Sequence, residues 1–185
     1  MLWIEQLRYA RDHDVLLVHA AGNDAKNTNG YLFYPNSKFE KAGWFRPKTA
    51  SNWIEVGASS WKREDLAGNF SNYGDRVVDV FAPGIDMESC KPGNQYETGA
   101  GTSYAAPVVA GIAALLRSYF PSLTAKQTKE CIERGVFKPD FKVKKPGTDE
   151  LVDLGSLCKT GGIANAYGAV RVAMGMIVKR KQVGE

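Results

Sequence analysis

Residues 104–119, YAAPVVAGIAALLRSY, are apolar or small at almost every position. A helix patterned this way is expected to be buried on most sides, which demands a domain layered around it. Pro107 sits near the first turn, where a missing N–H costs least. Gly99 and Gly101 precede the run and allow close backbone approach, and Ser103 stands at the junction. With 185 residues the chain is long enough for one domain with a real core.

The segments upstream indicate what surrounds that helix. VLLVHAA, residues 15–21, is a continuous apolar run ended by Gly22, which suits a parallel strand buried on both faces. A helical spacing over residues 2–13 precedes it, through Leu2, Trp3, Leu7 and Ala10. WIEVGAS (53–59) and RVVDVFAP (76–83) read as two more strands, the second ended by Pro83 and Gly84. Thr124 followed by Gln127 is a capping box for a helix running to about Glu133 and ended by Gly135. Residues 136–162 are loop-like. A last helix is expected from Ile163 to Val178, followed by Lys179, Arg180 and Lys181, which suit the negative end of its dipole. This order predicts an α/β fold, a three-layer parallel sheet with flanking helices.

Composition excludes several classes. An apolar fraction of 44% with 24% charged residues is that of an ordinary globular protein. The net charge of +4 is modest, and no nucleic-acid motif accompanies the lysines at 138, 142, 144 and 145, so no nucleic-acid partner is expected. No run of eighteen apolar residues occurs, so no membrane partner is expected either. Cys90, Cys131 and Cys158 form neither a paired framework nor a metal-ligand spacing.

A serine hydroxyl is a poor nucleophile until a base takes its proton. A helix N-terminus helps, because its N–H groups and dipole stabilise developing negative charge. The same placement also describes a plain serine cap. The surrounding motif weighs between the two. GTSYAAPVVAG, Gly101 to Gly111, resembles the nucleophile segment of the subtilisin-like serine peptidases, departing from the usual form at Tyr104, where methionine is common. VHAAGND, Val18 to Asp24, resembles the oxyanion segment of that family. WIEVGAS, GNFSNYGDRVVDVFAPG and GGIANAYGAV are similar to further family segments in the same order, as is YPNSKF. The resemblance covers roughly residues 1–134 and 161–176, so the chain reads as one domain, 1–185, with 136–160 expected to be an inserted loop.

The resemblance implies that Ser103 is the nucleophile and that Asn23 donates its amide to the oxyanion, with the Ser103 N–H as second donor. It implies that Ala20, Ala21 and Gly22 line a wall of the substrate pocket and that Gly101 and Thr102 flank the substrate. It also implies a peptide or protein substrate and a secreted or periplasmic location. Calcium is implied by the family alone, since Asp65, Asp75 and Asp86 are scattered and no ligand loop has a recognisable spacing, so no cofactor is expected from the residues.

The family's base is absent. Neither His-Gly-Thr-His nor the Asp-x-Gly segment occurs, and the only histidines are His13 and His19. His19 lies four residues before Asn23, about 13 Å away along an extended strand at ~3.3 Å per residue. His13, between Asp12 and Asp14, is on a helix-to-strand turn whose neighbours point apart. Both are expected to be structural or solvated. An α/β-hydrolase elbow fails at Ala105 and needs a histidine after the serine. The chain is therefore expected to be the C-terminal half of a peptidase domain, with little activity alone. Its expected partner is the missing N-terminal half, or a second copy bound along an exposed sheet edge. The alternative is a non-catalytic binding or assembly module on the same scaffold.

Overall fold

The computed structural model describes residues 2–30, 34–37, 49–63 and 65–183. Two sequence assignments fall partly outside them. These are the end of YPNSKF, residues 38–39, and the side chains of the basic residues closing the last helix.

Three strands form the central sheet: β1 (Leu17–Ala20), β2 (Trp53–Ser59) and β3 (Val80–Pro83). They are parallel in the order β1-β2-β3, with Leu17 opposite Trp53 and Val56 opposite Val80. β2 is buried at every position, as a central strand's apolar run requires. Alternation along the strands separates the two faces. Ile54, Val56, Ala58, Val80 and Ala82 pack under α2 (Thr102–Tyr119), α3 (Ala125–Arg134) and α4 (Ala166–Val183). On the other face Trp53 packs with Leu7 of α1 (Leu2–Asp12), and Phe81 packs with Val143, Leu154 and Leu157 from the 136–160 segment. Gly57 makes room for Phe81, whose ring lies 2.8 Å from where a Cβ on Gly57 would stand.

The expected capping box is present: the Gln127 N–H donates to Thr124 Oγ1, and the Gln127 side chain reaches back to the Thr124 N–H. Asp14 closes the α1–β1 turn at φ 56° and ties three elements together. Its Oδ1 accepts from Ala125 N–H at 2.6 Å, at the start of α3, and its Oδ2 pairs with Arg117 of α2 at 2.7 Å. Helices α3 and α4 meet backbone to backbone. A Cβ on Gly168 would lie 2.0 Å from the Gly135 carbonyl oxygen.

Four expectations need correction. The helix after Ser103 is not buried on most sides. α2 buries Thr102, Ala105, Val109, Ile112, Ala113 and Leu116, while Ala110, Gly111, Ala114, Leu115 and Tyr119 are exposed. The third strand begins at Val80 rather than residue 76, because Val77 and Val78 close a turn on the Gly74 carbonyl. The last helix starts at Ala166 rather than Ile163. Ile163 instead exchanges backbone hydrogen bonds with Phe137, and Asn165 Oδ1 caps the Gly168 N–H at 2.9 Å. Finally, an antiparallel hairpin unread in the sequence, β4 (Met87–Lys91) and β5 (Gln95–Gly99), leads directly into the serine turn. Within 136–160 lie a short ladder, β6 (Val143–Lys144) with β7 (Leu151–Val152), and one 3-10 turn, Leu154–Ser156.

Candidate active site

The C-terminal ends of β1, β2 and β3 open on one rim, where ligands of parallel sheets usually sit. β1 runs out at Ala20, and the chain turns through Gly22 at φ 99°. A Cβ at Gly22 would meet Asn72 Nδ2 at 2.4 Å, so glycine is required twice over. Asn72 is fully buried and organises this turn. Its amide donates to the Ala21 carbonyl at 2.9 Å, and its Oδ1 accepts from the Asp24 and Lys26 N–H groups at 3.1 and 2.9 Å. Asn72 lies within the GNFSNYG segment, and nothing in that segment's spacing announces this role. A buried amide serving both donors and acceptors is what could have been looked for.

The second half of the site comes from β3 and α2. Gly101 donates its N–H to the Gly84 carbonyl at 2.8 Å and caps α2 at φ 156°, ψ 160°, a conformation glycine alone adopts freely. Ser103 is then exposed in the first turn of α2. The point where a Cβ on Gly101 would sit is 3.1 Å from Ser103 Oγ and 3.5 Å from Asn23 Nδ2. The missing side chain thus leaves a space that the hydroxyl and the amide both border.

Thr102 fixes which end of the Asn23 amide faces this space. Its N–H and its hydroxyl both donate to Asn23 Oδ1, at 2.9 and 3.0 Å, so the NH₂ group is turned toward Ser103. The Thr102 hydroxyl oxygen accepts from the Gly22 N–H at 3.1 Å, which joins the two turns. Among the described residues neither Ser103 Oγ nor the Ser103 N–H has a protein partner.

The structure therefore brings together Gly22, Asn23, Gly101, Thr102 and Ser103. Thr102 is 1% exposed, so it positions Asn23 and does not face solvent. Ala21 is turned into the core beneath the turn, beside Phe81 and Tyr73, while Ala20 is half-buried at the strand end.

The histidines lie elsewhere. His13 is exposed at the end of α1, with Nδ1 on the Tyr9 carbonyl and its ring stacked on Tyr9 at 3.9 Å. His19 is on the α1 face of the sheet, paired with Glu55 at 2.9 Å and against the Trp53 ring. Glu55 also accepts from Trp53 Nε1 at 2.7 Å.

A buried charge cluster lies away from this rim, where β2 and β3 begin. Asp79 meets Lys129 and Lys159 there and accepts from the Glu55 N–H. Burial opposes its charge, but the two ammonium groups and these hydrogen bonds outweigh that and hold the carboxyl below its ordinary range. Burial, reinforced by Glu130, pushes the Cys131 thiol up to about 11, and burial raises Cys158 as well. Neither is a ready nucleophile. Among the described residues no group of three or more His, Cys, Asp or Glu is placed so that it could hold a metal ion.

Fold and rim together define an α/β protein that sets a hydroxyl at a helix N-terminus against a side-chain amide. The profile described as "Subtilase family" matches residues 3–169, and the chain belongs to the subtilase family of serine peptidases. It is 40% identical over 112 residues to the thermophilic serine proteinase of Bacillus sp. (strain AK1), which covers 60% of this chain and 23% of that protein. It is 31% identical over 140 residues to the cell wall-associated protease of Bacillus subtilis (strain 168), covering 76% of this chain and 14% of that protein. A solved structure titled as the basis of subtilase cytotoxin SubAB assembly superposes with a TM-score of 0.72 at 24% identity, over 97% of this chain and 56% of that one. The maturation protease PagA gives 0.68 at 24% identity, over 91% and 54%. The chain thus spans about half the length of these structures and less of the curated relatives.

Proposed function

We propose that this chain carries the nucleophile and oxyanion half of a serine endopeptidase. One observation supports this above the rest: Ser103 Oγ and Asn23 Nδ2 border one empty space, 3.1 and 3.5 Å from a single point, with the amide oriented by Thr102. In the complete enzyme Ser103 Oγ attacks the substrate carbonyl and forms a C–O bond while the C=O π pair moves onto oxygen. That oxyanion accepts from Asn23 Nδ2 and the Ser103 N–H. The serine proton passes to a base and then to the departing amine, which leaves an acyl-enzyme that water hydrolyses.

His13 and His19 are both engaged away from Ser103, so a histidine–aspartate pair outside these residues supplies the base. The exposed face of α2 and the edge of β1, unpaired among the described residues, are the surfaces against which that other half packs. Without it, the edge invites self-association. A secreted or periplasmic location fits a relative named for the cell wall. Among the described residues no helix is long and apolar enough to cross a membrane.

A fluorophosphonate probe tests the reading. The chain alone is expected to label slowly. Coexpressed with a subtilase N-terminal segment carrying Asp-x-Gly and His-Gly-Thr-His, it labels rapidly, and Ser103→Ala abolishes labelling. Asn23→Ala slows the reconstituted enzyme by about 10²–10³, a magnitude measured in this same family. Rapid labelling of the chain alone would sink the division of labour. No labelling on reconstitution, in a complex shown to form, would favour a non-catalytic binding module.

A further inference from the structure

Asn23 and Asp24 are both exposed, so packing does little to hold the turn that carries the Asn23 amide. The turn also enters left-handed backbone twice, at Gly22 with φ 99° and at Ala25 with φ 53°. A segment bent this way keeps its shape through bonds from beneath. One residue supplies four of them. The Asn72 side chain donates to the Ala21 carbonyl and accepts from the Asp24 and Lys26 N–H groups, and the Asn72 N–H donates to the Gly22 carbonyl at 2.9 Å. These bonds fall on both sides of Asn23.

Asn72 is itself fixed to the central sheet. The Ser71 hydroxyl donates to the Asn72 carbonyl at 2.9 Å, and its oxygen accepts from the Ala58 N–H of β2 at 3.0 Å. Ser71 and Asn72 are both fully buried. Thr102 therefore holds the side chain of Asn23, while Asn72 ties the backbone beneath it to the buried strand.

We infer that Asn72 is a positioning residue for the hydrolysis, setting where the Asn23 amide meets the oxyanion without itself touching substrate. The inference rests on the peptidase reading and adds to it a buried residue that acts through Asn23. The oxyanion forms only as the carbonyl is attacked, so a displaced amide weakens the transition state and leaves substrate binding as it was. Misplacement by about 1 Å costs on the order of 10²-fold. Acting through Asn23 also sets a ceiling. Loss of Asn72 cannot cost more than loss of the Asn23 amide, about 10²–10³, the magnitude measured in this same family.

The test uses the full chain in complex with the subtilase N-terminal segment that carries the base, its active sites counted by fluorophosphonate titration. Asn72→Ala removes all three side-chain bonds. Asn72→Ser keeps a hydroxyl there and carries the same experiment where the alanine variant does not fold. Per titrated site, Asn72→Ala is expected to lower kcat on a chromogenic peptide anilide about 10- to 100-fold with KM within about twofold, and Asn72→Ser to lose less. In an Asn23→Ala background the same substitutions should change kcat by less than about twofold. A loss that persists in that background, a rise in KM at constant kcat, or an unchanged kcat would overturn the positioning role. A second measurement needs no turnover. In the chain carrying Ser103→Ala, the isotopically labelled Asn23 side-chain amide, assigned by its loss in Asn23→Ala, is followed by NMR. Asn72→Ser should shift and mobilise it with circular dichroism unchanged, and an indifferent Asn23 amide would overturn the inference. The two readings fail separately. A complex that forms without labelling removes the hydrolysis while NMR still reads the hold of Asn72 on Asn23, whereas labelling with kcat indifferent to Asn72 removes the positioning role alone.

Discussion

The Thr102 hydroxyl donates to Asn23 Oδ1 at 3.0 Å while its oxygen accepts from the Gly22 N–H at 3.1 Å. One buried side chain therefore orients an amide and closes the turn that carries it. Thr102→Val keeps the volume and removes both bonds, leaving a peptide N–H short of an acceptor. The expected cost is about 1–3 kcal/mol in urea unfolding. In the reconstituted domain Thr102→Val should also slow Ser103 labelling, because Asn23 Oδ1 then keeps only the bond from the residue-102 backbone N–H and the amide is held less firmly. Thr102→Ser should restore most of both. Equal labelling rates for the two variants would show that Asn23 needs no such support.

Gly99 and Tyr104 form a second coupled pair. A Cβ on Gly99 would lie 2.1 Å from the Tyr104 hydroxyl, so Gly99→Ala must push the ring aside at about 1–3 kcal/mol. The double variant with Tyr104→Met should recover most of that loss. Additive effects in a double-mutant cycle would refute the coupling.

Asp79 sets an acid limit on stability. Its folded-state pKa is depressed, so its contribution is full at neutral pH and is lost as pH falls through the ordinary aspartate range, about 4, and on through the folded value. Denaturant midpoints measured from pH 7 down to pH 3 should fall. Asp79→Asn should flatten that dependence and cost about 1–3 kcal/mol at pH 7, since Lys129 loses its nearer carboxylate and keeps Glu133 at 3.5 Å. A variant with the parent's pH slope would place the acid sensitivity elsewhere.

The α3–α4 crossing tolerates no side chain. Gly168→Ala places a methyl 2.0 Å from the Gly135 carbonyl oxygen, and backbone cannot move aside as a side chain can. The expected loss is at least about 3 kcal/mol. Gly155→Ala, with open space at its Cβ, is the control and should change the thermal midpoint little. Similar midpoints for the two would argue against a tight crossing.

Local rules carried far where the signal was local. Thr124 and Gln127 announced α3 through a bond pattern three residues long, and WIEVGAS announced β2 because a central strand is apolar at nearly every position. Ser103 and Asn23 were legible from long motifs, although their approach depends on Thr102 and Gly101, which no spacing rule reports. The β4–β5 hairpin escaped because eight of its ten residues face solvent and leave no buried face to pattern, and Pro92-Gly93-Asn94 was the one cue. Ile163 was read into a helix because its apolar side chain fits one, yet its backbone is spent on Phe137. The bare side of α2 shows the limit most plainly. An all-apolar helix signals that something should cover it, and not what or from where.

The bond from Thr102 N–H to Asn23 Oδ1 joins residues 79 apart and lies wholly within this chain. On the proposed peptidase reading, the amide that would receive the oxyanion is held by contacts from within these residues alone. Docking of a complementary half is then expected to follow that half's concentration, with no slow step in which the Asn23 turn is reshaped.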